Sequence, residues 1–185
     1  MHNEHSHVCP WWMAYTFDTP IRSFQTPVAK VLKPYLKEGM TFVDFGCGMG
    51  FFSLSGAKIV GEKGKVISVD IQQKMLDIVK TKTEKAKLCD IIQTHLTQPG
   101  NINLEAEADF ALAMWMVHET SDFCEFFKQT KATLKPGSSF LIVEPSFHVS
   151  AKVLESEKQA SVDAGFEFVA NIGIGLFSKG FLLRA

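Results

Sequence analysis

No apolar stretch of the chain comes near the ~20 residues that a membrane-crossing helix requires; runs such as Phe110 to Val117 stop far short. The N-terminal MHNEHSHVCPWW has neither the basic start nor the apolar segment of a secretion signal. Cysteine is sparse, and Cys9, Cys47, Cys89 and Cys124 form no CxxC pair, which speaks for a reducing compartment and against a disulfide framework. An excess of either charge is missing too. With 19 Lys and Arg against 20 Asp and Glu the formal net charge is -1, so no overall positive field exists to hold a polyanion, and nucleic acid is disfavoured as a partner. Internal repeats, low-complexity tracts and linkers are also absent. What remains is the expectation of a cytoplasmic, single-domain protein without a membrane step, because 185 residues with 46% hydrophobic content suffice for one core.

Strand-like and helix-like segments alternate. Thr41 to Phe45, Lys65 to Asp70, Ile91 to His95, Ala108 to Met116, Ser139 to Glu144, Phe166 to Ala170 and Leu176 to Leu183 read as strands. Helices are expected over Phe51 to Val60, after Asp70 where Met75, Leu76, Ile78 and Val79 recur at helical spacing, over Asp122 to Leu134 up to Lys135-Pro136-Gly137, and over Lys152 to Ala164. Parallel neighbours need long crossovers, so this alternation implies an α/β fold with helices on both faces of a mostly parallel sheet. Ligands of such sheets sit beyond the C-terminal strand ends.

Gly46, Gly48 and Gly50 fall at that place, directly after the first sheet strand and before its helix. Bare backbone and unpaired N–H groups there can meet a polar or negative ligand. A dinucleotide site would want G-x-G-x-x-G, but the sixth position is Phe51, which weakens a nicotinamide reading. A second acid, Asp70, closes the next strand about twenty residues on, where a carboxylate can accept from both ribose hydroxyls. Capping of the following helix is its plainer alternative.

Asp44-x-Gly46-x-Gly48-x-Gly50 resembles the first motif of the class I S-adenosylmethionine-dependent methyltransferases, and the resemblance runs from about Lys37 to the C-terminus. ADFALAMWMVHE (Ala108 to Glu119) is similar to the family's fourth strand and the loop behind it. LKPGSSFLIVEP (Leu134 to Pro145) resembles the late helix, Pro-Gly turn and fifth strand of small-molecule members such as the quinone-biosynthesis and arsenite methyltransferases, and AGFEFV (Ala164 to Val169) looks like the entry to the sixth strand. The resemblance implies a Rossmann-like three-layer sandwich of seven strands with an antiparallel last strand. It implies S-adenosyl-L-methionine held by Asp44, Gly46, Gly48, Gly50 and Asp70, with His95, Leu96 and Met114 as further contacts. The sequence departs from the pattern after the third strand, where Gln93-Thr94-His95-Leu96 offers no acid for the adenine amino group, so His95 either takes that place or merely ends the strand. No Asn/Asp-Pro-Pro-Tyr loop follows the fourth strand, which disfavours methylation of a base or amide nitrogen and favours a small-molecule acceptor.

A sulfonium methyl is already activated, so the protein must chiefly align donor and acceptor and exclude water. An oxygen or carbon acid also needs a base; a thiolate or metalloid does not. His118 and Glu119 are the candidates for that base, and Trp115 and His148 for acceptor contacts. Residues 1–36 read as an aromatic cover on a 37–185 core, with Trp11, Trp12 and Tyr15 closing over the acceptor or simply packing on the core. His5, His7 and Cys9 alternate, a set that can ligate a soft metal or metalloid if extended, or be a frayed terminus. A non-catalytic cofactor- or metal-binding module and a nicotinamide-dependent oxidoreductase remain as alternatives.

Overall fold

A computed structural model describes residues 28–175 and 177–185. His5, His7 and Cys9, the candidate metal ligands, and Trp11, Trp12 and Tyr15, the candidate cover, lie outside the described residues. A short helix α1 (Val28–Val31) leads into β1 (Thr41–Phe45), α2 (Phe51–Val60), β2 (Lys65–Asp70), α3 (Gln73–Ala86), β3 (Ile92–Leu96), β4 (Ala108–Met114), a 3-10 turn (Val117–Glu119), α4 (Phe123–Ala132), β5 (Leu134–Pro145), α5 (Ala151–Asp163), β6 (Glu167–Ile174) and β7 (Ser178–Arg184). The seven strands form one sheet in the order β3-β2-β1-β4-β5-β7-β6. β7 runs antiparallel to both β5 and β6, and the pairings of β1 to β5 are parallel.

Alternation along the strands splits the core in two. Phe42, Val66, Phe110, Leu112, Leu141 and Val143 face α2 and α3. Val43, Phe45, Ile67, Ala111, Phe140 and Ile142 face α4 and α5 with Phe126, Phe127 and Phe166. Val31, Leu32 and Leu36 are fully or almost fully buried in the first cluster, so the packed core begins upstream of Lys37. Two caps set helix starts: Asp122 Oδ1 accepts the Glu125 N–H at 3.0 Å, and Ser150 Oγ accepts the Val153 N–H at 3.2 Å.

Element ends differ from the sequence expectation where tertiary pairing intervenes. α4 stops at Ala132, and Lys135-Pro136-Gly137-Ser138 loop out within β5, whose register with β4 shifts between Ala108 and Phe110. The C-terminal residue fixes this bulge: Ala185 O accepts from Gly137 N–H at 2.9 Å, and Ala185 N–H donates to Ser138 O at 3.0 Å. β4 ends at Met114 because Trp115 turns left-handed, with φ 59°. Between β3 and β4, a Pro99-Gly100 turn stands where a helix would otherwise cross. Gln129 of α4 pins that loop by donating to Gly100 O and accepting from Ile102 N–H.

Candidate active site

The strand order reverses between β1 and β4, so the loops leaving these two strands flank a crevice at the C-terminal edge of the sheet. The glycine loop and Met116 are in contact there: a Cβ added to Gly46 would lie 2.6 Å from Met116 Cγ. A Cβ on Gly50 would lie 3.0 Å from Val79 of α3. Around Gly48 it would meet nothing within 4 Å, and its φ of 51° is one that a side chain rarely allows. The three glycines thus answer different demands. Gly46 and Gly50 admit neighbouring protein side chains, and Gly48 borders open space.

Asp70 is 7% exposed and anchored by two amides. Its Oδ2 accepts the Gly48 N–H at 3.0 Å and its Oδ1 the Gln72 N–H at 2.9 Å. Burial raises its pKa, and the bonds from Gln72, Gly48 and Ile71 oppose the rise. The capping alternative falls, since the N-cap of α3 is Gln72. Three amide donors leave the carboxylate, with its roughly four lone-pair sites, room for one further donor. Leu96 is the register partner of Asp70 and is 50% exposed, which puts an apolar surface beside the acid. Open space over Gly48, an acid with acceptor capacity and this exposed leucine suit a nucleoside bearing a polar tail.

Asp44 is buried and accepts from Ser53 Oγ at 2.6 Å, tying β1 to α2. Lys82 Nζ donates to Met49 O at 3.1 Å and ties the glycine loop to α3. Met114 is nearly buried in the first core cluster. His95 occupies the opposite face of β3 from Leu96, with Nε2 2.9 Å from Ile102 O. There it lines a groove of about 420 Å³ with Lys65, Ile67, Gln93, Leu104 and Glu105, away from the face that Asp70 shares with Leu96.

On the β4–β5 side, His118 Nδ1 lies 2.6 Å from Glu144 Oε2, and the His118 backbone N–H donates to Glu144 Oε1 at 3.2 Å. Glu144 is fully buried at the end of β5. A carboxylate only accepts, so Nδ1 carries the proton and Nε2 presents a lone pair. Burial works against charging His118, but the bond to Glu144, its charge and that of Glu119 outweigh it and raise the imidazole pKa above the usual 6.5. His148 is exposed, its ring 5.1 Å from that of His118 and edge-on. Trp115 is held in its left-handed conformation by a 2.7 Å bond from its N–H to Val143 O and a 3.1 Å bond from its indole to Ser178 Oγ. The exposed Phe147 ring meets it edge-on at 5.9 Å. Glu119, the other base candidate, is half-buried on the same 3-10 turn. Among the described residues no group of three or more His, Cys, Asp or Glu is placed to hold a metal, and no helix is long and apolar enough to cross a membrane.

Sequence reasoning missed Glu144, Phe147 and Ser178. Glu144 carried a signal, since it closes the apolar run Phe140-Leu141-Ile142-Val143 just as Asp44 and Asp70 close theirs. Ser178 carried none, because its partner Trp115 lies 63 residues away.

A profile described as Methyltransferase domain matches residues 36–174. A demethylmenaquinone methyltransferase of Staphylococcus saprophyticus is 29% identical over 114 residues, covering 60% of this chain and 47% of the relative. Another, of Oceanobacillus iheyensis, is 27% identical over 111 residues with the same coverage. The chain spans about half the length of these curated relatives. A crystal structure of a SAM-dependent methyltransferase from Aquifex aeolicus superposes with a TM-score of 0.86 at 27% identity, over 96% of this chain and 99% of that one. The chain belongs to the methyltransferase domain family, among the class I S-adenosylmethionine-dependent methyltransferases.

Proposed function

We propose that this protein transfers the methyl group of S-adenosylmethionine to a small, flat acceptor whose proton is taken by His118. The observation that carries the reading is the 2.6 Å contact of His118 with the fully buried Glu144 at the crevice edge. That contact fixes the ring, holds the proton on Nδ1 and leaves Nε2 to act as base. The cofactor supplies an activated methyl group. Asp70 and the bare backbone at Gly48 would hold it, with Leu96 against its flat base. Gly46, Gly50 and Asp44 would shape that cradle by packing on Met116, Val79 and Ser53.

Trp115 and Phe147 offer ring faces and edges to an aromatic acceptor, with His148 at the rim. A tryptophan kept at positive φ by two hydrogen bonds is the kind of local strain that accompanies a binding role. The curated relatives are named for demethylmenaquinone, and an acidic aromatic acceptor of that general kind suits this wall. Trp11, Trp12 and Tyr15 as acceptor contacts, and His5, His7 and Cys9 as a soft-metal set, are proposals that rest on the sequence alone. Methylation at an oxygen or carbon acid within an aqueous, reducing compartment is the resulting activity, and its partner is a small molecule without nucleic acid.

Labelled S-adenosylmethionine with a panel of hydroxylated aromatics is the direct test. His118→Gln is expected to lower kcat by about 100-fold or more, the usual contribution of a positioned base. Because the folded imidazole titrates above 6.5, wild-type kcat should rise with pH through a midpoint above that value. Glu144→Gln should move the midpoint down and slow the reaction. Undiminished transfer by His118→Gln contradicts the proposal.

A further inference from the structure

We propose that Glu157 is the uncharged member of a buried carboxyl pair with Glu144, and that by staying uncharged it leaves His118 facing a single negative charge. This makes Glu157 a positioning residue that acts through Glu144, and it rests on the reading of His118 as the base. Glu157 lies in the middle of α5, where Glu155, Ser156 and Gln159 around it are exposed, yet its own side chain is fully buried. Neither of its carboxyl oxygens has a hydrogen-bond partner among the described residues. α5 packs against the 3-10 turn that carries His118 and against β7, which carries Lys179.

A carboxylate so placed, without donors, is strongly disfavoured, and retaining its proton relieves the penalty. Burial first, and then the charge of Glu144, push Glu157 up to about 9, with Lys179 acting in the opposite sense. The charged groups around it are few. Glu144 from β5 has both oxygens on His118, and Lys179, its register partner on β7, donates to Val149 O at 2.8 Å. The 3-10 turn brings His118 and Glu119, and His148 stands beside the His118 ring. α4 carries Glu125, which accepts from Gln129, Lys128, which is exposed, and Lys131, which is turned to Gly165 O. β6 carries Glu167, which pairs with Arg184 of β7.

Glu144 and Lys179 then balance in charge, and His118 can both take a proton and let it go. A second carboxylate in the pair would hold the imidazolium more tightly and slow the return of the base. Glu157 guards against that chiefly by burial, with the charge of Glu144 acting in the same sense.

The test is an NMR titration of the full-length chain with isotope-labelled histidine, the His118 signal being assigned with His118→Gln. The wild type should show the main His118 transition and a second, smaller inflection near pH 9 as Glu157 ionises. Glu157→Gln, which keeps the shape and charge of the protonated acid, should fold, lose the second inflection and leave the main midpoint in place. Glu157→Met should also lose the inflection. A wild-type curve that is flat through pH 9, an inflection that persists in both variants, or a Glu157→Gln chain that does not fold would each overturn the proposal. The titration needs no acceptor. Full transfer activity in His118→Gln together with a Glu157-dependent inflection would therefore overturn the base alone.

Discussion

A glycine can be required for what the protein itself packs there or for what the protein must leave open, and the loop after β1 contains both kinds. Gly48→Ala puts a methyl where no protein atom lies within 4 Å, at a φ of 51° that disfavours it by about 1–2 kcal/mol. The variant should fold with a modestly lower Tm and lose S-adenosylmethionine affinity on the order of 100-fold in calorimetry, equivalent to about 2.7 kcal/mol. Gly46→Ala drives its methyl against Cβ and Cγ of Met116 at 2.8 and 2.6 Å, so its main loss should be in Tm. If the two variants behave alike in both measurements, the division of roles between the glycines is wrong. Three acids that close apolar strand runs, Asp44, Asp70 and Glu144, were visible in the sequence as a pattern. Their partners were not, because Ser53, the Gly48 amide and His118 lie 9, 22 and 26 residues away and meet the acids only after folding.

At the scale of elements, β7 is held between β5 and β6 by an approach too close for any side chain. Gly180 faces Val143 in register, and a Cβ there would run into Ile142 O and lie 3.1 Å from the carbonyl carbon. Gly180→Ala should destabilise the protein by roughly 2–3 kcal/mol in denaturant unfolding, as overpacking against backbone does. A change below half that size would mean the strands can part to admit a methyl. The antiparallel placement of β7 was an expectation drawn from family resemblance. Periodicity gave the existence of the strand, but its neighbours follow from long-range hydrogen bonds that leave no local trace. The bulge at Lys135 to Ser138 teaches the same lesson. Pro136-Gly137 marked a turn correctly, while its inclusion within β5 depends on the chain's last residue, Ala185. α2 and the first two strands were read to the residue because glycines and acids mark their ends.

For the molecule as a whole, one buried acid gives stability a pH dependence of unusual sign. Glu157 has a folded pKa raised from 4.5 to about 9, so the native state keeps a proton that the unfolded chain releases. The stabilisation associated with this proton is fully present below pH 4.5 and is lost as pH rises through about 9, at about 1.4 kcal/mol per unit. By pH 7 the loss is roughly 3 kcal/mol. Glu157→Gln should accordingly be more stable than the wild type at pH 7, with little difference at pH 4, in paired denaturation curves. Equal stability of the two proteins at both pH values would show that Glu157 is charged or solvated in the native state. The near-neutral composition gave no hint of this, since Glu157 reads as one more polar residue on an exposed helix.

The sequence by itself determined the order of strands and helices, the position of the bare loop and the two acids at the ends of β1 and β2. Those features depend on spacing, residue size and backbone freedom, which act over a few neighbours. Only the tertiary structure decided that Gly48, and not Gly46 or Gly50, borders the open crevice, that His118 leans on Glu144, and that Glu157 is buried without hydrogen-bond partners on α5. These depend on which surfaces meet when helices dock on a sheet, and burial sets the charge of a carboxyl only once its water is gone.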